Sequence, residues 1–471
     1  MIFALKSVLF FRSSYLQKLY RELTIQSCPS RYEKRKETRF SLEVTRASHP
    51  ELVSGSQHTY QFKKIALFTF LFLFTVLHFS FAAKLKTGTY RGVLVLDSLN
   101  NIELPFNFDV IKKGKKLQLI IRNSEEKIIV DELQQKGDSV FFKMPVFDTE
   151  FRAKLVNGNL EGVWINHYRK EKNTIKFKAE YNNPNRFPFV PGKENPYFEG
   201  RWETTFSPGS KDSSKAIAVF HHIEQTDYLS GTFLTETGDY RFLEGIKKGN
   251  ELYLSCFDGS HAFLFTAQFK DDHFEGVFYS GAHWKENWTA KKNDAFKLRN
   301  ADEITFLKSK DAKLEFSFMN LEGKKIALSY KKFENKAVIV QVMGSWCPNC
   351  MDESAYLSGV YKKYQPQGLE IIALAFEKTT DMERAKKQLT RLKNRFDMQY
   401  EILITQLTGK DKASETLSAL NKISAFPTTL FLNKKHEVVK VHTGFSGPAT
   451  GKDYDTFKQN TEKLIDQLIK E

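Results

Sequence analysis

With 471 residues, 41% of them hydrophobic and 27% charged, the chain can hold about two or three domains with ordinary cores, and its composition excludes a disordered protein. A net charge of +15 would suit nucleic acid, but residues 1–64 carry 12 Lys and Arg against 5 acids, about +7, and the remaining +8 is scattered among acids, which favours a solvated basic surface over a phosphate-binding patch. Four cysteines, Cys28, Cys256, Cys347 and Cys350, are too few to staple a chain of this size, and without a second C-x-x-C they cannot complete a four-cysteine zinc site.

Residues 1–62 form a mostly polar leader without structural periodicity, far longer than the basic region that opens an export signal; the expectation is that translation starts downstream of Met1. Behind it, Lys63–Lys84 reads KKIALFTFLFLFTVLHFSFAAK, with an uncharged, mostly apolar core from Ile65 to Phe81. A buried core helix would show a polar stripe, which this run lacks. Ser80-Phe81-Ala82 offers small residues where a signal peptidase reads, so 63–83 is expected to be a signal peptide cut after Ala82, or a membrane anchor through 65–83 with its basic flank in the cytoplasm. Either way the chain is expected outside the cytoplasm, periplasmic or otherwise extracytoplasmic, secreted or anchored.

From residue 84 to 300, short alternating stretches broken by Gly, Asn and Asp predict an all-β region, and the 42 phenylalanines of the chain suit cross-strand aromatic packing. The region also resembles itself. GDSVFFKMPVFDTEF from Gly137 matches GNELYLSCFDGSHAF from Gly249, Phe147-Asp148 matches Phe257-Asp258, and Glu161-Gly162-Val163-Trp164 matches Glu275-Gly276-Val277-Phe278. Two related β modules are therefore predicted, 84–181 and 198–300, joined by a Pro- and Asn-rich linker over 182–197 whose prolines cannot enter a central ladder. His221, His222, His261 and His283 are candidate ligands, and Trp284 and Trp288 could stack on a sugar ring. Isolated His and Trp on amphipathic strands are more simply packing residues, and Cys256 inside LYLSCF is expected to be a buried, unreactive thiol.

A different pattern begins near Leu314. LEFSFMN and KKIALSY predict a hairpin around Leu321-Glu322-Gly323, and AVIVQVM, Ala337 to Met343, reads as a strand buried on both faces. A helix is predicted from Cys347-Pro348 to Tyr364, then a strand in GLEIIALAF, a basic helix from Met382 to Arg395, strands in SAFPTTLFL and EVVKVHTGF, and a last amphipathic helix from Tyr454 to Ile469.

The chemistry sits where the buried strand meets the helix. Cys347 falls at the helix start, where unpaired backbone N–H groups and the positive dipole end favour a thiolate, so it is expected to be the nucleophile. Pro348 suits helix entry. Cys350 lies on the same face one turn on and is expected to be the resolving thiol.

Trp346-Cys347-Pro348-Asn349-Cys350, Glu353 and Phe426-Pro427-Thr428, set in this order of strands and helices, resemble the thioredoxin fold and within it the TlpA/ResA-like thiol-disulfide oxidoreductases, over about residues 312–471. The expected fold is thus multidomain, a duplicated all-β N-terminal region followed by an α/β thioredoxin-like domain. The resemblance implies that Glu353 tunes the two thiols and exchanges protons with them, because the chain has Gln341, which cannot titrate, where thioredoxin has a buried Asp. Asp352 is expected to be a solvated helix residue. Pro427 is the expected cis-proline, presenting the backbone of Phe426 to an extended substrate segment, and Trp346 would shield the dithiol.

The function implied is a protein-disulfide reductase for exported, disulfide-containing proteins, supplied with electrons by a membrane thiol-relay partner. Nothing in the sequence gives a cofactor or a metal site. Two other readings stand beside it: a thiol peroxidase, against which the adjacent dithiol argues, and a β-repeat ligand-binding or surface-interaction protein with an auxiliary redox domain.

Overall fold

A computed structural model describes residues 83–188, 197–223 and 226–471, and all counts refer to these. The leader and the apolar run up to Ala82 lie outside the described residues.

Inside–outside alternation builds most strands of the first sheet; in TEFRAKLV, Thr149, Phe151, Ala153 and Leu155 are buried and the residues between them are not, whereas Leu104 to Phe108 form a continuous buried run. Its strands are β1 (Gly88–Asp97), β2 (Ile102–Lys113), β3 (Lys116–Asn123), β4 (Glu126–Val130), β5 (Leu133–Lys136), β6 (Ser139–Lys143), β7 (Thr149–Val156), β8 (Asn159–Asn166) and β9 (Thr174–Tyr181). They run antiparallel in the order β4-β3-β2-β1-β9-β8-β7-β6-β5, so the first and last strands pair at the centre, Tyr90 opposite Tyr181. Phenylalanines fill the concave side: Phe142 stacks on Phe151 at 4.3 Å between ring centroids, and Phe177 meets Phe151 edge-on at 4.7 Å.

The second sheet contains β10 (Gly200–Phe206), β11 (Ser214–His222), β12 (Tyr228–Thr235), β13 (Gly238–Asp239), β14 (Leu243–Lys248), β15 (Glu251–Phe257), β16 (Ala262–Lys270), β17 (His273–Ser280) and β18 (Trp284–Lys292). Here β11 pairs with both β10 and β12, closing a barrel from which the short β12–β13 hairpin projects. Phe220, Phe233, Phe265, Phe274, Phe278 and Trp288 fill the interior, as expected of a barrel this small. The segments matched in the sequence fall on β6 and β15 and on β8 and β17, which hold like places in the two sheets.

The two β units share a core. Phe257, at the end of β15, sits 4.6 Å from Phe106 and 5.4 Å from Phe151 and Trp164, centroid to centroid. The described part of the predicted linker is packed between them. Phe187 is buried, and the buried Arg186 donates to the carbonyls of Ser255 and Arg122 and pairs with Glu244.

The C-terminal domain comprises β19 (Ser317–Asn320), β20 (Lys325–Ala327), β21 (Ala337–Met343), α1 (Pro348–Tyr364), β22 (Leu369–Ala375), α2 (Met382–Phe396), β23 (Glu401–Ile404), α3 (Gly409–Thr416), β24 (Thr428–Leu432), β25 (Val438–Thr443) and α4 (Lys452–Lys470). Its sheet order is β20-β19-β23-β22-β21-β24-β25, with β21, β22 and β23 parallel and β24 antiparallel to β21. Every residue of β21 and β22 is buried, because helices cover both faces. This is a thioredoxin-like arrangement. Two elements fall outside the sequence expectation, β23 and α3: the first spans four residues and the second, GKDKASET, has no apolar stripe.

Candidate active site

Strand β21 ends in Gly344-Ser345-Trp346, and this turn sets the direction in which the chain enters α1. Both Ser345 N–H and Ser345 Oγ donate to the carboxylate of Glu377 at 2.7 Å, fixing the turn to the end of β22. The Trp346 indole folds back to donate to the Phe376 carbonyl at 2.9 Å; a Cβ on Gly344 would lie 2.3 Å from that indole nitrogen, so the position requires glycine. Cys347 is then the N-cap of α1, with the Cys350 N–H donating to its Sγ at 3.2 Å, and Pro348 occupies the first helical position. Cys347 and Cys350 are joined as a disulfide, their Cα atoms 5.2 Å apart. Cys350 is fully buried and Cys347 is 6% exposed.

The Phe426–Pro427 peptide is cis, and the Phe426 carbonyl oxygen lies 3.5 Å from Cys347 Sγ. The Phe426 ring meets Trp346 edge-on at 5.6 Å. One turn beyond Cys350, Glu353 points into the core, accepting from Thr429 Oγ1 at 2.7 Å and Gln341 Nε2 at 2.8 Å. Burial pushes its carboxyl up to about 7, against these two hydrogen bonds, which favour the carboxylate. All six residues singled out in the sequence, Trp346, Cys347, Cys350, Glu353, Phe426 and Pro427, thus converge on one point with Gln341 behind them.

The β region reaches this point too. Asn349, between the cysteines, donates through Nδ2 to the Asp239 carbonyl, Asp239 Oδ1 and the Phe445 carbonyl at 3.1–3.2 Å. The β12–β13 hairpin therefore rests on the active-site turn. Asp352 corrects the sequence expectation: rather than solvated, it is paired with the buried Arg241, which also engages Glu126 of β4 and Asp258. One guanidinium so links both β units to α1. Within this cluster, burial pushes Asp352 up to about 7, despite Arg241; Asp258, equally buried, is held down to about 2 by His261 and Arg241.

His261, read from sequence as a packing residue, lies 3.1 Å from Asp258 and lines two clefts flanking the dithiol. One cleft contains Trp346 and Pro348, the other Phe426 and Asn349; Ser260 Oγ reaches the Trp346 carbonyl at 3.5 Å. His283 joins the first cleft. By contrast, His221 pairs with Glu199, His222 stacks on Tyr197, Trp284 is exposed and Trp288 is barrel core. Cys256 is buried, and burial pushes its thiol well up. Among the described residues no group of His, Cys, Asp and Glu side chains is arranged to hold a metal, and no helix is long and apolar enough to cross a membrane. Sequence reasoning missed Arg241, Asp239, Asp258 and Glu377. The one signal available was the repeated Phe-Asp pair: Asp148 binds Arg384 of α2 directly, and Asp258 binds Arg241, which in turn reaches Asp352 of α1.

The profile of the AhpC/TSA family matches residues 309–441. Curated relatives include the thiol-disulfide oxidoreductase ResA of Halalkalibacterium halodurans, 31% identical over 131 residues, 28% of this chain and 66% of that protein. The Bacillus cereus protein of the same name is 32% identical over 139 residues, again 28% of this chain and 72% of its own length. The chain thus spans about two thirds of the length of these relatives. A solved thiol-disulfide oxidoreductase from Bacteroides fragilis aligns over 31% of this chain and 99% of its own at 17% identity, with a TM-score of 0.25, a likeness too slight to carry weight. With a strand–C-x-x-C–helix site inside the residues that the family profile matches, the chain belongs to the TlpA/ResA-like thiol-disulfide oxidoreductases of the thioredoxin fold.

Proposed function

We propose that the protein is an exported protein-disulfide reductase. The Cys347 thiolate attacks one sulfur of a substrate disulfide, forming a mixed disulfide and releasing one substrate thiolate. Cys350 then attacks Cys347 Sγ, closing the internal disulfide and releasing the second substrate thiolate, so two electrons pass to the substrate. Glu353, which burial keeps protonating near neutrality, exchanges protons with the dithiol one turn away. Trp346, Phe426 and Pro427 form the face that receives the substrate segment. A membrane thiol-relay partner returns the two electrons, and residues 63–83 direct export or anchor the chain.

The observation that carries this reading is the juxtaposition of Cys347 Sγ with the Phe426 carbonyl, with a buried carboxyl one turn behind the dithiol. The β modules, 84–181 and 198–300 with 182–197 between them, are read as duplicates, which the like places of β6 and β15 and of β8 and β17 support; 312–471 is the redox domain. Trapping tests the function. Cys350→Ala expressed in an exporting host should hold partner proteins on Cys347 as mixed disulfides released by dithiothreitol. Recovery of none, with the variant folded, would remove protein disulfides as the substrate.

A further inference from the structure

Of the two clefts beside the dithiol, the one of about 420 Å³ on the Trp346 side is walled by both β units and by the redox domain together. It opens on Trp346 and Pro348, the residues on either side of Cys347. Its polar lining is cationic. Arg169 and Lys172 come from the β8–β9 loop, and Lys378 comes from the segment after β22, its ammonium 3.9 Å above the Trp346 ring. Among the described residues none of the three forms an ion pair. Glu377 is engaged by Ser345 and Asp258 by Arg241 and His261, and Glu171 of the same loop is exposed and does not line the cleft.

The charges also act on one another. Burial and Arg169 hold the Lys378 ammonium below its ordinary range, and burial with Arg169 and Lys172 pushes His283 down to about 4, so His283 stays neutral and adds no charge of its own. The buried indole N–H of Trp164, on the same wall, has no acceptor among the described residues. Unpaired cations and an unpaired donor in a concave site call for an acceptor-rich anionic ligand. The cleft on the Phe426 side differs: its Lys215 is already paired with Glu203.

We propose that the Trp346-side cleft is the specificity subsite of the dithiol and takes a disulfide flanked by carboxylates. This rests on the disulfide-reductase reading above and adds the substrate class, an acidic disulfide-bearing segment or a small anionic disulfide. The β units then supply substrate selection, since two of the three cations are theirs.

The test uses the full chain, reduced, and three synthetic peptide disulfides whose cystine is flanked by Glu, Gln or Lys. Single-turnover reduction at low ionic strength should run Glu over Gln over Lys, about tenfold between the extremes, and the spread should collapse near 1 M salt, where the Debye length is about 3 Å. In Arg169→Gln/Lys172→Gln, and separately in Lys378→Gln, the Glu-to-Lys ratio should fall towards one. Equal rates on the three peptides, or a ratio that survives in both variants, overturns the proposal while leaving the reductase reading intact. Failure to reduce any peptide would instead remove that reading. Binding of the oxidised chain to the same peptides with Ser for Cys then decides: tighter binding of the Glu peptide supports the subsite, and equal binding overturns it. Glutathione disulfide assayed alongside separates the sources, matching the Glu peptide if the ligand is small and falling well below it if an extended segment is required.

Discussion

Glu353 carries a cost that depends on pH. In the disulfide form its carboxyl is raised from the ordinary 4.5 to about 7 by burial, so the fold favours the protonated acid. The associated stability is fully present below pH 4.5 and is lost as pH rises through 7, about 3 kcal/mol in all at 1.36 kcal/mol per unit. Glu353→Gln keeps the shape and cannot ionise. Thermal melts of the oxidised protein should therefore show the wild type losing ground to the variant between pH 5 and 8, with a constant gap above. The wild-type rate of thiol-disulfide exchange should inflect near pH 7, and that inflection should be lost in the variant. Parallel melting curves at all pH values would show that Glu353 does not hold a proton in the fold. Its position was legible in the sequence because it lies on the same helix as the cysteines, whereas its two partners, Gln341 and Thr429, come from β21 and β24 and are brought in by the sheet.

Between elements, the decisive contact is the β12–β13 hairpin on the start of α1. Gly238 lies at φ +147°, and a Cβ there would come within 2.7 Å of Asn349 Nδ2, so hairpin and turn fit at backbone distance. Asn349→Ala removes the donor shared by Asp239 and Phe445 and leaves the buried Asp239 carboxylate with the Gly447 and Arg241 N–H groups and, at 3.5 Å, the Thr232 hydroxyl as donors. A loss of about 1–3 kcal/mol is expected, read by urea titration, with hydrogen exchange rising in residues 235–241 and in the first turn of α1. Protection confined to its wild-type level would mean that the hairpin is held by other contacts. Helix α2 docks in the same manner: Arg384 reaches Asp148, and Arg391 reaches Glu132 and the Met144 carbonyl. Two cations of this basic helix, Arg384 and Arg391, are thus spent on the first β unit.

Among the described residues the two β units and the redox domain meet at Arg241, where one cation engages Glu126, Asp258 and Asp352 from three parts of the chain. Arg241→Met should destabilise the protein by about 3–5 kcal/mol, because it leaves buried carboxylates without their counter-charge. The β units and the redox domain should then melt in separate steps, and reduced Cys347 should alkylate faster than in the wild type, where it is 6% exposed. A single unshifted transition with unchanged alkylation would show that Arg241 is not the clamp. The arrangement shapes the surroundings of the dithiol: the Trp346-side cleft is walled by both β units and the redox domain, and the Phe426-side cleft by the second β unit and the redox domain.

What the sequence determined by itself was local. Alternation of period two made most strands of the β units, and nearly continuous apolar runs made β21 and β22. A strand delivering W-C-P-N-C into a helix start made the dithiol, whose chemistry depends on N–H groups within one turn of Cys347. The β-region side of the site was set only by the tertiary structure. Arg241 and Asp352 stand 111 positions apart, and Asn349 and Asp239 110 apart, so no periodicity links them. A charged residue on an amphipathic strand looks the same whether it faces water or another domain. Docking decides which one, and here it turned Asp352, expected to be solvated, into part of the clamp, and His261, expected to be a packing residue, into a wall of the clefts beside the dithiol.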